Sequence, residues 1–302
     1  MLKIKDVSVS FKDHTVLDQL SLTAYEGEII GLAAPNGTGK TTLFNVIANY
    51  LKPNEGTVVF NDQYEYKSEK DEVDIYKQLT PFPDQGDLFE ELSGVDHLKL
   101  YANMWKGTSK HIKDIIKELN MESYVKNKVK TYSLGMRQRL CFGMMAAADS
   151  SIMLMDEVMN GLDVSNVALI SEKLIEMKNN QKLMFVASHL LENLDLYADR
   201  VLFLKDGKII HEHHIHDNHD TFIKVSLDPN RYNEFKQTYD LPEDHHYISD
   251  RLLCIPFSKL TLSEQTTWLE RVIQFDEREF EIGTLGTLEY YEKYYHDSYI
   301  RK

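Results

Sequence analysis

Cysteine is scarce in this chain: two in 302 residues, Cys141 and Cys254. Both sit in apolar runs, one helical in pattern and one strand-like. No disulfide framework is implied, and a reduced compartment is expected. Positive charge is also in short supply, with 34 Lys and Arg against 48 Asp and Glu, a net charge of −14. That balance argues against a general affinity for nucleic-acid backbone or anionic lipid head groups, and no nucleic-acid partner is expected. No apolar run approaches the length that spans a bilayer. The first residues, Met1-Leu2-Lys3-Ile4-Lys5-Asp6, alternate apolar and charged and lack the apolar core of a signal peptide. Repeats and low-complexity tracts are absent as well. The hydrophobic content of 42% and charged content of 27% are those of a soluble globular protein with a sizeable core, in one large domain or two smaller ones.

Ala34-Pro35-Asn36-Gly37-Thr38-Gly39-Lys40-Thr41-Thr42 is the most informative stretch. An apolar strand-like run, Glu28 to Ala33, precedes it, and a helical run from Leu43 follows. Strand, tight loop, Gly-Lys-Thr and helix is the context of a phosphate-binding loop. A helix start offers unpaired N–H groups and a positive dipole end to an anion. Gly37 and Gly39 let the backbone aim N–H groups at phosphate oxygens. Lys40 adds a charge for the β- and γ-phosphates, and the Thr41 hydroxyl suits Mg²⁺. The general pattern begins with glycine, where this chain has Ala34, so that turn has fewer backbone angles open to it.

Strand patterns cover residues 1–30, with Thr57–Phe60 as a further short strand, and residues 41–51 read as a helix that stops before Pro53. Residues 63–80 are charged and weakly patterned. The Pro81–Asp87 segment reads as a loop. Helical spacing recurs at about 94–105, 109–119, 136–148 and 165–178. Apolar strands at 151–155 and 183–187 end in Asp156-Glu157 and Ser188-His189. Asp206-Gly207 joins two further strands as a type I′ hairpin. Such alternation implies a largely parallel sheet, with chemistry at the carboxyl ends of its strands.

Beyond the hairpin the composition changes. His211, His213, His214, His216 and His219 crowd a polar segment without organised ligand spacing. The domain boundary is placed near 215–220, and residues 216–302 are expected to form a small α+β accessory domain. Its strands fall at 222–225 and 252–255 and its helices at 230–239, 262–275 and 287–299, the last carrying Tyr290, Tyr291, Tyr294, Tyr295 and Tyr299.

Asp156, at the end of an apolar strand beside the phosphate loop, can hold a water of Mg²⁺. Glu157 can reach a water attacking the γ-phosphate. Between loop and strand lies Tyr132-Ser133-Leu134-Gly135-Met136-Arg137-Gln138-Arg139. Ser133 reads as a helix cap, and Gly135 permits close backbone approach to phosphate. With this segment the sequence resembles the ATP-binding-cassette (ABC) ATPases, in particular the single-cassette subunits of bacterial antibiotic, peptide or lipid exporters. The resemblance covers residues 1 to about 215, with the motifs in the family's order.

The resemblance implies an α/β fold of the P-loop NTPase, ABC ATPase type: a mixed sheet core, N-terminal antiparallel strands and a helical subdomain at about 85–148. It implies ATP and Mg²⁺ as cofactors. Ser133 and Gly135 would meet the nucleotide of a second cassette, in a homodimer or heterodimer. Asp163, in Asn160-Gly161-Leu162-Asp163, would contact the partner's phosphate loop, and His189 would contact the γ-phosphate and orient Glu157. Phe11 falls where an aromatic ring stacks on adenine. Asp84 aligns with the metal-sensing Gln or Glu of the family, and Gln85 is one residue off. Further implications are a polytopic membrane permease as partner, a cytoplasmic location on the inner face of the membrane, and ATP hydrolysis coupled to export. Two rivals remain. One is a cassette ATPase acting in regulation, translation or repair. The other is a P-loop kinase or GTPase, which would leave Ser133, Asp163 and His189 without a role.

Overall fold

The computed structural model describes residues 1–12, 14–105, 111–217, 219–275 and 280–300, the last four of these by backbone alone. Two compact units divide the chain, Met1–Glu212 and His213–Lys302.

The first unit begins with β1 (Leu2–Phe11) and β2 (His14–Ala24), followed by β3 (Ile29–Ala33), α1 (Lys40–Ile47) and β4 (Glu55–Phe60). Next come α2 (Glu69–Tyr76), β5 (Leu79–Pro81), α3 (Gly94–Met104), α4 (Ile112–Glu118) and α5 (Leu134–Ala148). β6 (Ile152–Asp156), α6 (Val164–Asn179), β7 (Leu183–Ala187), α7 (Leu191–Tyr197) and the hairpin β8 (Arg200–Lys205) and β9 (Lys208–His214) follow, the boundary between the units falling within β9, after Glu212.

β2, β1 and β4 form an antiparallel sheet, and β5-β6-β7-β3-β8-β9 a second sheet, parallel from β5 to β8. All five residues of β3 and of β7 are buried, as strands covered on both faces require. β3, β6 and β7 are neighbours, so their carboxyl ends, the loop after Ala33, Asp156-Glu157 and Ser188-His189, come out side by side. At the β8–β9 turn Asp206 and Gly207 both have positive φ, +50° and +77°, the type I′ geometry. The Gly207 carbonyl accepts Asp18 N–H at 3.0 Å. A Cβ on Gly207 would lie 2.9 Å from that same nitrogen. The hairpin tip is thereby fastened to β2.

The second unit runs β10 (Thr221–Ser226), α8 (Pro229–Thr238), β11 (His246–Ile248), β12 (Leu252–Pro256), α9 (Leu262–Phe275), β13 (Phe280–Thr284) and α10 (Thr287–Ile300). Its antiparallel sheet has the order β11-β12-β10-β13, a pair of interleaved split βαβ motifs of the ferredoxin-like kind. Phe235 of α8 and Trp268 and Val272 of α9 pack with Ile223, Val225, Leu253 and Ile255 of the sheet.

Several local expectations are corrected. α1 ends at Ile47, four residues early, because Asn49 takes φ +58° and leaves the helix. Residues 63–80 contain α2, started by the Ser68 side chain on Asp71 N–H, and most of β5. Pro81 closes β5; at a sheet edge its missing N–H costs no ladder bond. α7, β11 and β13 are short, and no periodicity announces them. His211, His213 and His214 belong to β9, and His213 is buried. Residues 109 and 110 of the helix expected at about 109–119, Asn218 and the Tyr299 side chain lie outside the described residues.

Candidate functional site

Where β3 ends, the chain turns through residues 34–39 into α1. Gly37 and Gly39 have φ of +81° and +110°. These angles suit glycine, and the loop leads into α1, whose first-turn N–H groups have no partner within the helix. Ala34 does not have positive φ. Its methyl group is buried and its carbonyl serves the loop, so glycine is not needed there. Thr38 Oγ1 donates to Pro35 O at 2.8 Å, closing the turn. Lys40 Nζ donates to Ala34 O and, at 3.1 Å, to Pro35 O. Burial pulls the Lys40 ammonium below its usual pKa, and the nearby Glu157 and Asp156 charges pull it back up.

Two short contacts join the strand ends. Thr41 Oγ1 donates to Asp156 Oδ2 at 3.0 Å. His189 Nε2 lies 3.1 Å from Glu157 Oε1. Burial pushes the Glu157 carboxyl above the ordinary carboxylate range. His189 acts against that shift and Asp156 adds to it. Glu157 has φ +55°, which costs a residue with a side chain about 1–2 kcal/mol. Its N–H donates to Ala187 O at 3.0 Å, and its carbonyl accepts Gln138 Nε2 at 2.9 Å. The neighbours therefore fix this backbone.

A cleft of about 320 Å³ collects Asn36, Gly37, Gly39, Lys40, Thr41, Thr42, Asp156, Glu157 and His189. Thr38 stays outside it, within the turn. His14 and Val16 of β2 complete the wall, and no sequence signal singled them out. Phe11 is not part of this wall. It sits half-exposed at the end of β1, opposite His14. Asp84 is also outside: its Oδ1 accepts Gly86 N–H at 2.7 Å and caps a short turn at Gln85–Asp87.

Ser133, Gly135 and Asp163 lie away from the cleft, at the starts of α5 and α6. Ser133 Oγ accepts Met136 N–H at 3.3 Å. Asp163 Oδ1 accepts from Asn166 N–H at 2.9 Å and Ser165 Oγ at 2.8 Å, and these bonds hold its carboxyl below the usual range. A Cβ on Gly135 would be 3.4 Å from Gly161 O, so the two turns pack together.

The residues present fit a nucleotide and its metal. A hydroxyl and a carboxylate 3.0 Å apart are hard oxygen donors of the kind Mg²⁺ takes, next to N–H groups and a cation suited to phosphate. Among the described residues no three His, Cys, Asp or Glu side chains gather as a metal site, the histidines of 211–219 included. Among them, too, no helix is long and apolar enough to cross a membrane.

A family model described as ABC transporter matches residues 17–160. An uncharacterised ABC transporter ATP-binding protein of Bacillus subtilis, YhcH, is 31% identical over 247 residues, 80% of this chain and 80% of that protein. The lantibiotic transport ATP-binding protein SrtF of Streptococcus pyogenes is 26% identical over 212 residues, 70% of this chain and 90% of that protein. A solved ATP-binding cassette, in a dimeric post-hydrolysis state with ADP and Pi, superposes with a TM-score of 0.64 at 22% identity, covering 71% of this chain and 99% of that one. The chain belongs to the ATP-binding proteins of ABC transporters, the family whose cassettes bind and hydrolyse ATP.

Proposed function

We propose that this chain is the ATP-hydrolysing subunit of an ABC exporter. It works as one of two cassettes that close on two ATP molecules and reopen after hydrolysis. The observation that carries the chemistry is the convergence of Lys40, Thr41, Asp156, Glu157 and His189 in one cleft. The N–H groups around Gly37 and Gly39, with Lys40, hold the phosphates. Thr41 and Asp156 would hold Mg²⁺, which when bound offsets phosphate charge. Glu157 takes a proton from water as the water oxygen bonds to the γ-phosphorus. The bond to the bridging oxygen breaks, its electron pair leaves with ADP, and phosphate is released. His189, 3.1 Å from the Glu157 carboxylate, keeps that base turned to the water. Phe11 stacks on the adenine, and Asp84 approaches the metal only if its capping turn opens.

Ser133, Gly135 and Asp163 stand on surfaces that a second cassette would cover. Leu134 and Val164 are exposed beside them, which supports contact with another molecule. Phe89, Leu92, Leu100 and Met104 are large, apolar and exposed around α3, and supply a surface for a membrane permease. The lantibiotic transport named for SrtF, and the peptide export named for the 26% identical SkfE of Bacillus subtilis, favour export as the direction. Residues 85–148 act as the helical subdomain and residues 216–302 as an accessory domain. In this reading the chain works at the cytoplasmic face of the membrane.

Affinity purification from detergent-solubilised cells tests the assignment. Recovery with a polytopic membrane protein is expected. Recovery with ribosomes, and without membrane protein, would replace transport by a role in translation.

A further inference from the structure

Gln138 is buried in α5, five residues beyond the helix cap Ser133 and outside the cleft. Its Nε2 donates to two successive carbonyls, Glu157 O at 2.9 Å and Val158 O at 2.8 Å. Carbonyls only accept, so the orientation of this amide is fixed and its oxygen faces the other way. That oxygen accepts Gln85 Nε2. The Gln85 amide is fixed in turn, and its own Oε1 is buried with no hydrogen-bond partner among the described residues. An unpaired buried acceptor is unfavourable, and the Gln85–Gln138 bond holds it in place.

Each end of this chain of bonds has a feature of its own. At one end Glu157 has φ +55°, a backbone state that a residue with a side chain keeps only when its surroundings impose it. At the other end Asp84 and Gln85 share one turn but face differently. Asp84 caps the turn at Gly86 N–H, and Gln85 reaches into the protein toward α5. The turn and the catalytic strand end are linked through side-chain amides and not through the metal site.

We propose that Gln138 is the positioning residue for Glu157, and that Gln85 is the lever through which the 82–87 turn acts on it. Gln138 holds the peptide units that follow the β6 strand end. The Glu157 carboxylate therefore stays on the His189 side of the cleft. A displacement of the turn breaks or tightens the Gln85–Gln138 bond and so changes the aim of the base. ATP binding uses the other side of the cleft and does not depend on this relay. The proposal rests on the assignment of Glu157 as the base.

The test uses the full-length chain, with kcat, nucleotide affinity and thermal midpoint measured for Gln138→Met, Gln85→Met, the double variant and Glu157→Gln. Gln138→Met should lower kcat by about 10- to 100-fold, the loss typical of a misplaced catalytic group, with ATP affinity within about 2-fold of wild type. A purely structural role would lower the midpoint and ATP affinity together with kcat, and would not leave affinity in place while kcat falls. Gln85→Met should lower kcat by a smaller factor, and adding it to Gln138→Met should lower kcat no further. Multiplicative losses in the double variant would overturn the relay, and wild-type kcat in Gln138→Met would overturn the positioning role. If Gln138→Met does not fold, Gln85→Met decides: an unchanged kcat refutes the lever, and a reduced kcat at unchanged affinity supports it. Wild-type turnover in Glu157→Gln would instead remove the base assignment, a separate result.

Discussion

Gly37 and Gly39 make a paired test of the phosphate loop. Both have positive φ, but their surroundings differ. A Cβ on Gly39 would lie 3.1 Å from Val16 O, 3.1 Å from Leu17 Cδ2 and 3.2 Å from Val16 Cγ1. At φ +110° it is also well outside the left-handed well that other residues can enter. Gly39→Ala therefore combines backbone strain with a contact against a main-chain oxygen that cannot swing aside. Together these cost about 2–3 kcal/mol. At 1.4 kcal/mol per decade this is roughly a 30- to 140-fold change in an equilibrium constant. A Cβ on Gly37 would meet nothing within 4 Å, and φ is +81°. Gly37→Ala should cost only about 1 kcal/mol, or roughly 5-fold. The loss can appear in two places. If the loop keeps its shape, folding stability falls; if the loop relaxes, nucleotide affinity falls. Titration with a fluorescent ATP analogue and thermal unfolding measure the two parts, and their sum is the quantity to compare. Equal sums for the two variants, or a Gly39→Ala protein with wild-type affinity and midpoint, would refute the role given to the loop backbone.

Other perturbations read other parts of the molecule. Glu157→Gln should reduce ATP turnover by about 100-fold or more while ATP still binds, which single-turnover and binding measurements separate. In the proposed role Glu157 acts only when ionised, and burial raises its pKa, so kcat should fall with decreasing pH at a value above the ordinary carboxylate range. An acid limb at or below about pH 4.3 would contradict that environment. Thr41→Val keeps the shape and removes the hydroxyl beside Asp156; the Mg²⁺ requirement for turnover should rise by about 10-fold or more in a metal titration. Phe235→Ala opens the core between α8, α9 and the sheet of the second unit, at a cost of about 3–5 kcal/mol. ATP affinity should be unchanged in Phe235→Ala; a matching loss would mean the two units share stability.

Legibility in the sequence followed chemistry more than geometry. Lys40 was readable from the Gly-Lys-Thr loop between a strand and a helix, and Asp156, Glu157 and His189 because each stands at or just after the end of an apolar strand; such strands align their carboxyl ends whatever their order. α5 and α6 were readable from side chains at helical spacing, and α5 also from its cap, Ser133; the Asp163 cap of α6 was not read from the sequence. α2 was not, since only Ile75 of its eight residues is buried and its face has no apolar stripe. β11 has three residues, too few for alternation to register. His14 and Val16 reach the cleft only because the β1–β2 hairpin lies against the loop, a long-range fact with no local signature. The Gln138 contacts were hidden for the same reason. A glutamine on a helix reads as solvated until the partners 19 and 20 residues away are in place.

The Lys40 ammonium already has two acceptors inside its own loop, the carbonyls of Ala34 and Pro35. A phosphate arriving in the cleft exchanges one set of acceptors for another, and a departing phosphate restores the first. The loop carries its own substitute ligand, so its shape need not be rebuilt at each cycle. Nucleotide exchange then becomes a swap between two satisfied states, with affinity moderated by the internal competitor. On the function proposed above, this internal pairing of Lys40 favours rapid release of ADP over tight retention.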